Sequence, residues 1–227
     1  MKVYVGWDQK DAEAYDVLKR SILRNNYADI RALKDWELRQ EKMYWRPYRV
    51  TETGQMIDDQ DGLPFSTNFA FTRFLVPALE NFNDEWVLFC DADFIFRAPI
   101  NELFSLIDDS KAVMVVQHNH IPVEERKMDG ISQGKYFRKN WSSLMLMNPS
   151  KCKNLTPETV SGATGRWLHG FHWLKEEEIG SLPEEWNWLE GHSSMDLEPK
   201  AVHFTRGGPW MKGYEDVPYS DEWFKLK

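Results

Sequence analysis

Apolar positions along the chain change period several times, and each change marks an element. Met1 to Val5 is a short apolar run that breaks at the turn-like Gly6-Trp7-Asp8. From about Asp11 to Arg24 the spacing becomes helical and gathers Ala14, Val17, Leu18, Ser21 and Ile22 on one face. The start therefore predicts a strand, a turn open to a ligand, and a helix. Residues 36 to 64 are polar and rich in Gly, Asp and Gln, with neither period, which predicts an irregular stretch with one strand around Tyr48 to Thr51. Phe71, Phe74, Leu75 and Leu79 predict a helix over Thr67 to Leu79 that carries Arg73, with Pro77 inside the pattern. Trp86 to Cys90 is continuously apolar, as in a strand covered on both faces. A second run, Phe94 to Phe96, follows Asp91-Ala92-Asp93, then Pro99, a helix over Asn101 to Leu106 and a strand at Ala112 to Val116. Residues 117 to 140 are irregular again, and Ser143 to Met147 is a further apolar run. Strands alternating with helices predict an α/β fold with a mostly parallel central sheet flanked by helices. No repeat or low-complexity linker interrupts the 227 residues, so residues 1–227 are expected to form a single domain.

Charge narrows the function. Lys and Arg total 28 against 36 Asp and Glu, a formal net charge of -8 with no long run of either sign. Nonspecific nucleic-acid binding needs a concentrated basic face and is not expected. No window approaches ~18 uninterrupted apolar residues, so neither signal peptide nor membrane span is expected. Cys90 and Cys152 lack CxxC spacing, which argues against a disulfide scaffold or structural zinc and for a reducing, cytoplasmic setting. Packing accounts for most of the 11 Trp, 13 Phe and 8 Tyr, and loop tryptophans beside glycines are the better candidates for a ligand wall. Trp186, Trp188 and Trp210 lie among Gly, Pro and Asn, where a cleft wall and a packed core are both open readings.

The strongest chemical signal is the pair Asp91 and Asp93 at the end of an apolar strand. Residues two apart in an extended chain face the same side, so both carboxylates can reach one cation. Hard oxygen ligands suit Mg or Mn, and an incomplete protein ligand set leaves positions for phosphate oxygens. A solvated turn is the bland alternative. More than a hundred residues on, Ala201-Val202-His203 delivers an imidazole and Gly207-Gly208 frees the backbone to approach an anion. An imidazole completing two carboxylates favours Mn over Mg. His118, His120, His169 and His172 read as ordinary loop histidines. Cys90, beside two carboxylates on an apolar strand, would have its thiolate disfavoured and is not a nucleophile.

Taken together, these residues resemble the nucleotide-sugar glycosyltransferases of the GT-A fold, in particular the retaining, glycogenin-like and bacterial galactosyltransferase-like group. Val3-Tyr4-Val5-Gly6-Trp7-Asp8 is similar to the family's nucleotide-binding start, and the resemblance implies that Asp8 contacts the uracil. Ser66-Thr67-Asn68-Phe69 and Phe71 to Pro77 look like the family helix whose Arg reaches the donor sugar and diphosphate, the part Arg73 would take. Asp91 and Asp93 match the metal-binding Asp-x-Asp, and His203 matches the late metal-ligand His. Three departures stand out. The family's phosphate-gripping Lys before Pro-Trp is here Gly208, before Pro209-Trp210, with Arg206 or Lys212 as substitutes. The donor-sugar segment Asn-Ser-Gly-Val corresponds to Asn140-Trp141-Ser142-Ser143-Leu144. The family's Asp-Gln has no evident counterpart in Leu168-His169-Gly170-Phe171-His172.

The resemblance implies a Mn2+ or Mg2+ enzyme that moves a hexose from a UDP-sugar, UDP-glucose being the first expectation, to a hydroxyl acceptor that is a glycan, lipid or small molecule. Retention is implied, as is a monomer or homodimer. Asp91, Asp93 and Arg73 would be catalytic. Gly6, Trp7, Asp8, Thr67, Arg73, Ala92, Asn140, Ser142, Ser143, Arg206, Gly207, Gly208, Trp210 and Lys212 would hold the nucleotide-sugar. A sugar-phosphate nucleotidyltransferase and a non-catalytic nucleotide or carbohydrate-binding module are the alternatives.

Overall fold

A computed structural model of the chain describes residues 1–118 and 138–227. The first half runs β1 (Lys2–Gly6), α1 (Ala12–Leu23), β2 (Asp29–Leu33), α2 (Asp35–Gln40), β3 (Tyr48–Val50), β4 (Met56–Asp58), β5 (Pro64–Phe65), α3 (Val76–Leu79), β6 (Val87–Cys90), β7 (Phe94–Phe96), α4 (Ile100–Phe104) and β8 (Val113–Val116). The second half runs β9 (Leu144–Met147), α5 (Pro157–Gly162), α6 (Gly165–His169), β10 (Ile179–Leu182), β11 (Trp188–Leu189), β12 (Ala201–His203) and α7 (Ser220–Leu226). The sequence reading of residues 117 to 140, with His120, falls largely on 119–137, outside the described residues.

The central sheet is ordered β10-β8-β9-β6-β1-β2. β1 pairs parallel with β2 and β6, and β10 with β8, while β9 runs antiparallel between β6 and β8. It is thus a mostly parallel sheet with one reversed strand. Period-two alternation explains why β6 must be apolar throughout: Val87 and Phe89 pack into one core cluster and Leu88 and Cys90 into another, on the opposite face. The face of α1 read from the sequence is the buried one, comprising Ala14, Val17, Leu18, Ser21 and Ile22. Ser21 Oγ is not idle there: it donates to Leu18 O at 2.6 Å and accepts from Phe96 N at 3.0 Å, tying the helix to β7.

Two sequence expectations change. The helix over Thr67 to Leu79 is instead a 3-10 turn at Thr72–Leu75 followed by the single α-helical turn of α3. Pro77 has no N–H and is accommodated only in a first helical turn, so the α geometry starts at Val76. The stretch 36 to 64 is more ordered than expected, with α2 and the antiparallel sheet β3-β4-β5. These strands are two or three residues long and β3 is wholly exposed, so no period could reveal them.

Candidate functional site

The site lies where β6 ends. Cys90 pairs with Val5 of β1 and Leu144 of β9, and Asp91 N continues the ladder by donating to Ser143 O at 2.9 Å. Two residues on, β7 pairs antiparallel with β12 in a register that sets His203 opposite Phe94. Phe204 N donates to Asp93 O at 2.9 Å, which holds the two chain segments together at that point. Sheet register therefore brings together residues 112 apart in sequence. One ligand atom from each of Asp91, Asp93 and His203 lies within 4.8 Å of the others.

The hydrogen bonds behind His203 fix its tautomer. Asn187 Nδ2 donates to Asn140 O at 3.3 Å and Ser143 Oγ at 3.0 Å, which leaves Asn187 Oδ1 as the acceptor facing His203 Nδ1 at 3.0 Å. With Nδ1 donating to Asn187, Nε2 is the nitrogen that faces Asp93 Oδ1, at 3.4 Å. Phe94 stacks on the imidazole with centroids 4.3 Å apart, fixing its plane. Two carboxylates and an oriented imidazole form a donor set that fits a divalent cation of the Mn or Mg kind.

One cleft runs from this triad across the top of the sheet. Of the residues expected to hold a nucleotide-sugar, it is lined by Thr67, Arg73, Asn140, Ser142, Ser143, Arg206, Gly207 and Trp210. Gly6, Trp7, Asp8, Ala92, Gly208 and Lys212 are not among its lining residues. Gly6 is a packing necessity, since a Cβ there would meet Phe69 Cδ2 at 2.4 Å. Trp7 turns away to pack edge-on against Trp36, centroids 4.8 Å apart. Asp8 is buried, and accepts Lys10 N at 3.2 Å and Asn68 N at 3.0 Å, so it caps the turn after β1 and pins residues 66–69. Lys212 is exposed.

The two arginines are each held by a carboxylate. Arg73 is buried, pairs with Asp91 Oδ1 at 2.9 Å and donates to Ser142 O at 2.7 Å and Phe69 O at 3.3 Å. Arg206 is bound bidentately by Glu190, Nε to Oε2 at 3.0 Å and Nη2 to Oε1 at 2.8 Å, and Glu190 is itself buried. The guanidinium beside Gly207 thus meets any anion with its charge already matched. Gly207 has φ +150° and a Cβ on Gly208 would fall 1.8 Å from the Trp210 ring, so the pair serves the turn that brings Trp210 to the cleft. Trp186 and Trp188 are core residues, whereas Trp210 lines the cleft.

Several cleft residues were not singled out by the sequence: Lys10, Asp11, Lys139 and Arg166 line it, and so does His169, which had read as an ordinary loop histidine. Burial, then the charges of Arg73 and Arg46, push His169 well below the usual imidazole range, so it is neutral. Its Nδ1 lies 2.9 Å from Ser142 Oγ. No spacing rule would have found it, because its neighbours Phe71, Phe74 and Ser142 come from other elements. Cys90 is fully buried and its thiol is pushed far up by burial and then by Asp91 and Asp93, which keeps it unreactive.

Asp11 gives a pH-dependent expectation. Burial, then the charge of Asp93, raise its carboxyl to about 6, while Trp210 Nε1 donates to Oδ1 at 3.3 Å. A folded-state value above the unfolded one favours the fold below the unfolded pKa and loses that contribution as pH rises through about 6. Asp11→Asn keeps an acceptor for Trp210 and removes the buried charge. In metal-free protein its stability relative to wild type should improve between about pH 4 and about pH 8 by on the order of 2–3 kcal/mol. Urea unfolding at the two pH values checks this, and a pH-independent difference would contradict it.

No family model matches the chain. The structure superposes on the apo form of the bifunctional glycosyltransferase WbbM with TM-score 0.64 at 15% identity, covering 100% of this chain and 49% of that one. It superposes on the galactosyltransferase LgtC in complex with donor and acceptor sugar analogues with TM-score 0.61 at 11% identity, covering 100% and 95%. For the apo form of GlyE from Streptococcus pneumoniae TIGR4 the values are 0.60 and 16%, covering 99% and 59%. The chain spans about half the length of WbbM and under two thirds of GlyE. The fold is the GT-A type found in these glycosyltransferases. By sequence the chain is 43% identical over 231 residues to Protein CDI of Arabidopsis thaliana, covering 98% of this chain and 84% of that protein, and it belongs to that protein's family.

Proposed function

We propose that this chain is a metal-dependent glycosyltransferase that moves a hexosyl group from a UDP-sugar, UDP-glucose first among them, to a hydroxyl acceptor with retention. The observation that carries the reading is the Asp91, Asp93 and His203 cluster, with its tautomer fixed by Asn187, at the carboxyl end of the central sheet. Asp91, Asp93 and His203 would hold Mn2+ or Mg2+, which would supply Lewis-acid stabilisation of the charge on a departing diphosphate. The acceptor oxygen bonds to the anomeric carbon, the bond from that carbon to the β-phosphate oxygen breaks, and UDP leaves with its electron pair. The hydroxyl proton passes to the departing phosphate, so no protein nucleophile is required. Arg73 holds Asp91 in place and brings positive charge to the cleft beside the leaving group. Trp210, Thr67, Asn140, Ser142 and Ser143 line the cleft that would take the donor. Residues 1–227 are read as one such domain in a reducing cytoplasm, where the buried free thiols Cys90 and Cys152 would persist. Among the described residues no helix is long and apolar enough to cross a membrane.

Melting with UDP, GDP and ADP, each with Mn or with EDTA, tests the reading. Mn with UDP should raise the midpoint most, by a shift corresponding to about 2.7 kcal/mol at a ligand concentration a hundred times Kd. Equal shifts for all three nucleotides, or shifts indifferent to EDTA, would contradict it.

A further inference from the structure

Two of the three clustered side chains rest on one short turn. Residues 140–143 lead into β9, and Asn140 takes left-handed backbone there, with φ +66°. Ser143 O accepts Asp91 N at 2.9 Å, and Ser142 O accepts at 2.7 Å from Arg73 Nη1, the guanidinium nitrogen that pairs with Asp91 Oδ1. On the other side of the cluster, Asn140 O and Ser143 Oγ accept from the Asn187 amide whose oxygen faces His203 Nδ1. Asp91, after β6, and His203, in β12, thus share a support that belongs to neither strand. A shift of the turn moves both.

The turn is held in turn by His169. Its Nδ1 lies 2.9 Å from the hydroxyl of the buried Ser142, the Ala70 backbone also bonds the ring, and the rings of Phe71 and Phe74 pack against it with centroids 5.9 and 5.1 Å away. His169 is the last residue of α6, and α6 is itself fixed at its start. Arg46 donates to Val160 O at 3.0 Å and Ala163 O at 2.6 Å, and Asp61 accepts Gly165 N at 2.9 Å, so the corner where α5 gives way to α6 is tied to the small sheet. Against two phenylalanines an apolar side chain would pack with no polar group to satisfy. What an imidazole adds is a directional bond to Ser142 Oγ, which an apolar residue would leave unpaired in the interior.

We infer that His169 is a positioning residue for the cluster: through Ser142 it sets the 140–143 turn, and the turn sets Asp91 and the Asn187 that orients His203. A serine hydroxyl beside an imidazole is also the pattern of an activated nucleophile. The charges around this ring argue against that use. Arg73 and Arg46 both disfavour the imidazolium that a general base must become, where a catalytic pair would call for a carboxylate. Ser142 instead faces the cluster with its backbone oxygen, on Arg73, while its hydroxyl points back to His169. The inference rests on the glycosyltransferase reading for what the cluster does with a cation, whereas the support is a property of the metal-free chain.

Hydrogen exchange followed by NMR in the metal-free full chain tests it. In His169→Leu and in Ser142→Ala, exchange of Asp91 N–H and Arg73 Nε–H should quicken by about tenfold relative to the Leu18 amide of α1, because each substitution strands a buried partner in the same link. His169→Asn can present a polar atom near the place of Nδ1 and should stay within about threefold of wild type. The double variant His169→Leu with Ser142→Ala should match the single variants and not multiply to about a hundredfold, since both cut one connection. Calorimetric Mn titrations of the same proteins should follow the same order, with affinity lowered by about tenfold in the two disruptive variants. Unchanged exchange at Asp91 and Arg73 in both, an equal change at Leu18, or multiplying effects in the double variant would overturn the inference. A wild-type chain that binds no Mn, with the exchange pattern as expected, would overturn the glycosyltransferase reading instead.

Discussion

Asp93→Asn is expected to lower Mn-dependent turnover by at least about 100-fold while leaving the fold intact. The substitution changes charge and not shape, and the backbone bond from Phe204 N to Asp93 O is untouched. It removes the carboxylate facing His203 Nε2 at 3.4 Å, so the cation would lose one of its two anionic ligands. His203→Ala should act in the same direction. Asn187→Ala separates orientation from ligation, because Asn187 touches only the far nitrogen of His203. Its loss frees the imidazole to rotate or change tautomer, and should weaken Mn binding about 10–100-fold with turnover recovering at saturating Mn. Calorimetric Mn titrations in the presence of UDP measure all three. Near wild-type Mn affinity in both Asp93→Asn and His203→Ala would remove the metal assignment.

Asp58→Ala should cost about 3–5 kcal/mol of stability, the largest single effect expected away from the metal cluster. Arg46 and Asp58 are each 1% exposed, and the pair holds the small sheet against α5 and the segment leading to α6. Burial pushes the Asp58 carboxyl up even with the Arg46 guanidinium against it, so desolvation is the larger influence there. Such a pair adds little over an apolar replacement, but breaking it strands a guanidinium in the interior. Urea unfolding of Asp58→Ala and of the double variant Arg46→Met with Asp58→Leu separates the two. The double variant should recover a good part of the loss. If Asp58→Ala unfolds at the wild-type midpoint, the corner is not held by this pair.

The sheet was legible because its strands are covered on both faces. Val87 to Cys90 and Leu144 to Met147 cannot alternate when each face meets a core cluster, and a continuous apolar run is what remains. Asp91, Asp93 and His203 were legible for a related reason: a strand end fixes the facing of i and i+2. The structure brings them together, along with Arg73, Ser142, Ser143 and Trp210, in one cleft. Asp8 shows the limit. A carboxylate in a turn after the first strand serves equally as a base contact or a cap, and only the positions of Lys10 N and Asn68 N reveal the second use. Arg206 is similar, since nothing near it in sequence announces the buried Glu190 that matches its charge. β3 to β5 and His169 escaped because their order comes from contacts across the fold, with Arg46 and Ser142, and not from any local period.

The central claim is that Asp91, Asp93 and His203 hold a cation on which sugar transfer depends. Release of UDP from UDP-glucose and UDP-galactose, followed continuously in protein stripped with EDTA and then supplied with Mn, tests it most directly. The account predicts no release from either donor above the protein-free rate in EDTA, restoration with one of them by Mn in the wild type, and no restoration in Asp93→Asn or His203→Ala. Release at the same rate with and without EDTA, or full restoration in both variants, would contradict it.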